Sequence, residues 1–484
     1  VKRGLLPLQL VVAIFLALRL YYDFTADLFG DEAYYYLWGQ HLSWSYFDHP
    51  PLHAWLIRLS SEIFRNPALS LRALMWLTLA GVLAIFWDWS KRIAPDDRQR
   101  WFWTAAALYL SSPLFFGFTL IAYHDHLLIL LCLAAIHCFV LFVTRFEADA
   151  PRSLRWLYGA ALLLGLATLT KYNGIFLGLG FGLAFIVRPK LRRVLLTPHS
   201  WLAALLAIAI QAPVVYWNLT EGLASFRFHF EGRWGGHAGQ ANWWHPVRFL
   251  LLSFGIWSPI LLWPLVRMIR TRPAIGFENA ARTVALATFT ASTIVLALVS
   301  IVLDSFFYWN IVGLVGLMPL LAGYIGNRVV LWLQLLFGLV CTILIVVNFA
   351  VAPLASFTGG KDTGSAVNFG WSEIAAHMRA AEAAHPTDFI AGTGYSNTAQ
   401  LGVALGQDVV DLSPNPSQFS YWFPVGSYPG KSALILEGED DKASEVANVR
   451  DHFKTLVQID EITISRNNRP AYTWKILMGE DWQP

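Results

Sequence analysis

The sequence predicts an all-α polytopic membrane protein with a small soluble α/β domain at its carboxyl end. Three observations predict it. Of 484 residues, 56% are hydrophobic and 14% charged, where soluble domains carry about 25% charge. The apolar residues gather in runs of the length a bilayer demands, about 20 residues of helix. Basic residues then recur at every second turn between those runs, as cytoplasmic loops require. A formal net charge of +3 is too small to draw nucleic acid, so no such partner is expected.

About eleven runs are long enough to span, with room for up to thirteen: near 5–22, 70–90, 101–122, 124–146, 155–170, 173–188, 200–218, 247–269, 283–303, 306–326 and 328–350. Those at 155–170 and 173–188 are short for the task. The first run follows Lys2 and Arg3 as a signal peptide would, but Arg19, Tyr21 and Tyr22 end it without a small-residue cleavage site. A retained first helix is the better reading. With the amino end inside, KRIAPDDRQR, TRFEADAPRSLR, RPKLRR and RMIRTRPAIGFENAAR all fall in cytoplasmic turns, and residues 351–484 fall outside. Cys132, Cys138 and Cys341 lie in apolar runs without zinc spacing and read as small hydrophobes.

Two long segments face outward, 23–69 and 219–246. In the first, Leu52, Trp55, Leu56, Leu59, Ile63 and Phe64 follow helical spacing, with His53, Arg58 and Glu62 on the other face. Such a helix lies in the interface rather than crossing it. The tryptophans of the second suit a headgroup-level belt. Beyond residue 350 the pattern alternates: a helix at 372–385, a strand in DFIAGTG, a helix at 397–405, strands in DVVDL and SALILEG, a helix near 441–453, then strands in TLVQID and AYTWKILM.

The unusual polar residues gather on the outward side. Asp31 and Glu32 follow the first span directly; paired acids there serve equally as a solvated helix start and as catalysts. Asp48 and His49 precede Pro50 and Pro51, which fix the backbone just after an acid and an imidazole. A carboxylate so held is a metal-ligand or phosphate-site candidate. Asp125, flanked by His124 and His126, opens the fourth span; a helix cap competes with function for it. Lys171, beside Tyr172 in an outward turn, stands where the charge rule disfavours a lysine, so it answers an anionic ligand or snorkels to the interface. Arg227, His229 and Arg233 form a cationic cluster, either solvated or walled by Trp234, Trp243 and Trp244.

At these residues a resemblance emerges. DEAYYYLWGQHLSWSYFDHPPLHAWLIRL, then TKYNGIFL, then YWNLTEGLASFRFHFEGR resemble the GT-C superfamily of integral-membrane glycosyltransferases over about residues 5–350. Within it the likeness is to bacterial relatives of protein O-mannosyltransferases and of the lipid A aminoarabinose transferase. The tail is similar to the variable soluble domain of many members.

The resemblance implies a GT-C-type fold and transfer of a sugar from a polyprenyl-phosphate donor to a lipid, glycan or protein acceptor, by inverting single displacement. The setting would be the outer face of a bacterial inner membrane, among membrane lipids. It implies that Asp31 and Asp125 are catalytic, and that Glu32, His49, Lys171, Tyr172 and Arg233 belong to the substrate and phosphate site. Asp48 and His229 would be ligands of a divalent metal ion, the one cofactor implied. His49 stands where the family has a lysine, and His229 and Arg233 are offset by one residue. A transporter of lipid-linked sugars is the rival reading, but transporters concentrate polar residues at the midplane of inverted repeats. A scaffold built around the tail is a second, and it leaves the first-loop acids without a role.

Overall fold

The computed structural model describes residues 5–229, 241–272, 276–303, 305–441 and 449–483. The amino-terminal apolar run forms α1 (Leu6–Thr25), and α2 (Gly30–Gln40) and α3 (Leu52–Ile63) follow within the first outward segment. Pro67 then opens α4 (Pro67–Ile93), a position where its missing N–H costs nothing. Lys91 and Arg92 close α4, at the end where a helix dipole favours cations. The next helices relevant to the site are α5 (Asp125–Glu147) and α6 (Leu154–Thr170), and later α7 (Phe277–Val299) and α8 (Arg328–Val346).

Among the described residues five helices are long and apolar enough to cross a membrane: α1, α4, α5, α7 and α8 with its π-helical extension to Val351. Four bent pairs bring the number to at most nine if each counts as one span. The chain is therefore a multi-pass helical membrane protein, and among the described residues its five to nine candidate spans fall short of the eleven to thirteen expected. The run at 101–122 breaks between Leu110 and Pro113 with a 72° bend, and the run at 247–269 breaks between Trp257 and Pro259 with a 91° bend. Hydropathy does not register either break, because a proline leaves the apolar composition unchanged while it removes a backbone donor. The run at 306–326 is a succession of short helices, including Ile311–Val315 and Met318–Leu321. α6 has 17 residues, short of the usual span.

The two sharp breaks share one set of partners. Gln334 of α8 donates through Nε2 to the Ser111 carbonyl at 3.0 Å and accepts from the Ser258 hydroxyl at 2.5 Å, while the Ser112 hydroxyl donates to the Trp257 carbonyl at 2.7 Å. One turn further along α8, a side chain on Gly338 would meet the Ser111 carbonyl oxygen at 2.0 Å. Glycine is what lets α8 approach the break closely enough for Gln334 to reach it.

By its contacts the chain forms two units. The first comprises Val1–Leu18, Trp44–His53 and Ala73–Thr342; the second comprises Arg19–Ser43, Ala54–Arg72 and Ile343–Pro484. In the second, a five-stranded mixed sheet runs in the order β2-β1-β3-β5-β4, from β1 (Phe389–Gly392), β2 (Val410–Asp411), β3 (Ala433–Gly438), β4 (Phe453–Arg466) and β5 (Arg469–Trp482). β1 pairs in parallel with β2 and β3, and β5 pairs antiparallel with β3 and β4. Every residue of β3 is buried, as a continuous apolar run flanked on both sides demands. α9 (Trp371–Ala384) and α10 (Tyr395–Leu405) cover the sheet, with Trp371, Ile374 and Met378 packed around Leu434, Leu436, Trp474 and Ile476.

The strands expected in TLVQID and AYTWKILM are both longer than their apolar cores. They extend into one hairpin turning at Asn467 and Asn468, both at positive φ, the conformation a tight hairpin requires and asparagine tolerates. The helix expected at 441–453 falls mostly on residues 442–448, outside those described.

α3 forms where an interfacial helix was expected, and Leu59 and Ile63 are exposed on it as membrane-facing residues would be. Its inward face differs from the expected one. His53, Ala54, Ile57 and Ser60 are buried, so His53 belongs to the packed interior and not to the polar face.

Candidate active site

In the first unit, the residues at the start of α5 and the end of α6 meet. α6 ends at Thr170, and Lys171 takes an extended conformation before the 3₁₀ turn Tyr172–Gly174. A side chain on Gly174 would sit 2.6 Å from the Thr168 nitrogen, so this turn closes tightly only on glycine, and it directs Lys171 toward α5. Lys171 Nζ donates to Asp125 Oδ2 at 2.7 Å, with 7% and 2% of the two side chains exposed. The same ammonium lies 5.0 Å from the centre of the Tyr308 ring, a cation–π distance.

Asp125 is the first residue of α5, behind His124 in the N-cap position. Its carboxylate sits where a helix dipole favours negative charge, but its hydrogen bond goes to Lys171. Oδ1 of Asp125 is buried without a hydrogen-bond partner. Neither the cap nor the snorkelling lysine describes this arrangement. It is a buried ion pair, and Lys171 spends one of three N–H donors on it.

Histidines surround the pair. The His49 and His53 rings lie 4.5 and 4.6 Å from that of His124. His53 Nε2 is 3.1 Å from His126 Nε2, and His126 Nδ1 is 3.0 Å from the Thr78 hydroxyl, which donates to the Met75 carbonyl at 2.9 Å. One assignment with neutral rings makes all three contacts hydrogen bonds. Thr78 gives its proton to Met75, His126 donates from Nδ1 to Thr78, and His53 donates from Nε2 to His126. Burial, reinforced by the nearby Lys171 charge, pushes the His53 imidazole down to about 3. Burial and the neighbouring imidazoles hold His124 well below the ordinary histidine value. These two rings are neutral near pH 7, and the formal charges beside them are those of Lys171 and Asp125.

The outer wall of this cluster is the second outward loop. The Tyr172 hydroxyl pairs with Ser225 at 2.9 Å, and the Tyr172 ring meets that of His229 at 5.0 Å. His229 donates from Nε2 to the Asp48 carbonyl oxygen at 2.8 Å. Asp48 and His229 are thus neighbours, as the metal expectation needs, but through the main-chain oxygen and with that ring nitrogen already engaged. No group of three or more His, Cys, Asp or Glu side chains among the described residues is arranged to hold a metal ion. Arg233 and Trp234 lie outside the described residues.

The second unit holds Asp31 and Glu32. α2 starts at Gly30, and Glu32 turns back so that its carboxylate accepts the Phe29 N–H at 2.9 Å; the residue is fully buried. Glu32 therefore does the end-capping work that was considered for Asp31. Asp31 instead accepts a hydrogen bond on Oδ1 from the Tyr395 hydroxyl at 3.0 Å. Hydrogen bonding to a carboxylate favours its ionised form.

Three participants escaped the sequence reading. His53 carried a signal, a histidine at the start of α3 only four residues after His49. Thr78 and Tyr395 carried none. Tyr395 reaches Asp31 across 364 residues of chain.

Residues 48–217 match the family model described as dolichyl-phosphate-mannose-protein mannosyltransferase. A lipid A galacturonosyltransferase of Rhizobium johnstonii is 27% identical over 258 residues, which cover 51% of this chain and 50% of the relative. The chain thus matches about half the length of that curated protein. The crystal structure of ArnT from Cupriavidus metallidurans bound to undecaprenyl phosphate superposes with a TM-score of 0.65 over 99% of this chain and 98% of that one, at 14% identity. Its apo form gives 0.62 over 97% of each chain at 15% identity. At such identities the likeness is one of fold.

Proposed function

We propose, for a chain that belongs to the GT-C superfamily, a glycosyltransferase that moves a sugar from a polyprenyl-phosphate donor to an acceptor of the bacterial envelope. The observation that supports it is the buried Lys171–Asp125 pair. A buried charge is costly unless paired, and this ammonium keeps two donors beyond its partner. When the anomeric carbon–oxygen bond breaks, its electron pair leaves on the lipid phosphate, which changes from a diester to a more highly charged monoester. Lys171, in surroundings of low dielectric, stabilises that added charge.

The acceptor oxygen attacks the anomeric carbon from the opposite face, with inversion, and its proton passes to Asp31. The Tyr395 hydroxyl, bonded to Asp31 Oδ1, holds the carboxylate in place for that task. Asp125 orients Lys171, and His49 and Tyr172 border the phosphate site. Neutral His53 and His124 add no charge of their own to compete with Lys171 for the phosphate. Glu32 fixes the helix that presents Asp31, and Arg233 is assigned to the phosphate with it. A divalent metal ion, where one is bound, would be held through Asp48 and His229 and would add its charge to that of Lys171 at the departing phosphate; transfer with and without a chelator tests this.

The name of the rhizobial relative favours lipid A among acceptors. The positive-inside pattern supports an inner-membrane placement with the amino end cytoplasmic and residues 351–484 forming a periplasmic domain behind a membrane domain of residues 1–350. The test is transfer in detergent from labelled polyprenyl-phosphate hexose, pentose and uronic acid to lipid A, by wild type and by Asp31→Asn. Asp31→Asn should bind donor normally and transfer about 10² times more slowly or worse. Failure of the wild type with every donor, or undiminished transfer by the variant to a hydroxyl acceptor, sinks the reading.

A further inference from the structure

The second unit contains a cavity of about 340 Å³, within the range of small-ligand sites, about 300–1,000 Å³. It is bordered by the chain just after α1, by the start of α4, and by one face each of α9 and α10. α1 ends at Thr25 and α4 starts at Pro67. Asp27 and Asn66, which line the cavity, therefore stand within two residues of the ends of two membrane spans. Phe24 and Leu69, exposed beside them, suit hydrocarbon. Such neighbours suit a cavity near lipid headgroups.

Its lining offers two kinds of polar group. Arg379 gives one N–H to the Ala404 carbonyl at 2.8 Å and retains four more. Asn66 uses its amide oxygen on the Leu69 N–H, which leaves its NH₂ to donate. Ser372 adds a hydroxyl in the first turn of the 14-residue α9, where the helix dipole favours an anion. These groups suit a negatively charged substituent. The others are acceptors. Asp27 binds the Gly370 N–H through Oδ2 and keeps Oδ1. Gln400 donates from Nε2 to the Leu28 carbonyl at 2.8 Å, which fixes the amide so that Oε1 remains an acceptor. That oxygen is buried, in a side chain 3% exposed, and has no hydrogen-bond partner. With almost no accessible surface it is closed off from the cavity, and the acceptor that the lining offers directly is that of Asp27. Acceptors interleaved with donors around one cation match a sugar that carries hydroxyls and a phosphate or carboxylate.

We propose that this cavity seats the anionic saccharide headgroup of a membrane glycolipid, the acceptor of the transfer. The assignment rests on the transferase reading, but it is tested by binding alone. The probe is deep-rough lipopolysaccharide titrated against the full-length protein in detergent, with phosphatidylglycerol as an anionic lipid that lacks a saccharide. Saturable binding of the glycolipid, not displaced by phosphatidylglycerol, is expected. Arg379→Ala should weaken it by about tenfold or more through lost charge-assisted bonds. Val403→Trp should do the same by filling the space, and both variants should keep the wild-type melting temperature and affinity for polyprenyl phosphate. Absence of glycolipid binding, wild-type affinity in both variants, or equal competition by phosphatidylglycerol would overturn the proposal. A wild type that binds glycolipid but not polyprenyl phosphate would overturn the donor reading and leave this one standing.

Discussion

Replacing Lys171 by methionine keeps most of the stem and removes the ammonium, with two separable consequences. At 2.7 Å, unit charges attract by about 6 kcal/mol at an effective dielectric near 20. Much of that offsets the desolvation of two buried ions. Deleting one partner of such a pair costs about 3–5 kcal/mol, because the other is left charged and buried. Lys171→Met alone should therefore melt well below the wild type. Asp125→Asn combined with Lys171→Met removes both charges at nearly constant shape, so most of that stability should return. Donor affinity should not return with it. The ammonium's bonds to a phosphate contribute about 1.5–3 kcal/mol, or roughly 10- to 100-fold in affinity. Thermal melting and polyprenyl-phosphate titration on the four proteins of the cycle measure both effects. A double variant that melts like the wild type and binds phosphate as tightly would refute the assignment of Lys171. Single-site losses that simply add would refute the ion pair.

Three further outcomes follow from other contacts. Tyr395→Phe removes the hydroxyl that positions Asp31, so transfer should fall by about tenfold while donor affinity is kept; unchanged transfer separates the tyrosine from the base. His53 is neutral in the fold down to about pH 3 but takes a proton near pH 6.5 when unfolded. Its stabilisation is therefore intact above about 6.5 and is lost progressively as pH falls toward 3. His53→Gln, which still donates to His126 without titrating, should flatten the melting temperature against pH in that window, and an unchanged slope would mean the ring already charges in the fold. Lys454, whose side chain is 72% exposed, offers a topology probe. Lys454→Cys should react with an impermeant maleimide on intact spheroplasts, and labelling only after lysis would place the carboxyl-terminal region inside.

What was legible in the sequence was whatever is written as local pattern. The sheet strands, α9 and α10 show through alternation and helical spacing, and Lys171 stood out because its charge violates the loop rule. The span count failed because hydropathy sums composition over a window and does not register a break such as Ser258–Pro259, where the chain turns by 91° inside an apolar stretch. The histidine cluster was half visible. His124 and His126 flank an acid in sequence, whereas His53 joins them only because α3 turns that face inward. Glu32 rather than Asp31 caps the helix for a reason one residue wide. The helix begins at Gly30, which puts Glu32 rather than Asp31 where it can reach back to the Phe29 N–H.

The shared partners of the two helix breaks bear on how the chain is assembled. Ser111 and Ser112 leave the ribosome long before Gln334, which is 223 residues downstream of Ser111. Until α8 is made and inserted, the first break cannot acquire that partner, and the carbonyl group it exposes must be served by water or headgroups. The early spans would then wait near the translocon or the bilayer surface in an incompletely bonded state, and arrival of α8 would close both kinks in one event. A chain truncated before α8, or one carrying a side chain at Gly338, should be retained and degraded as an unfinished membrane protein even though every upstream segment is intact.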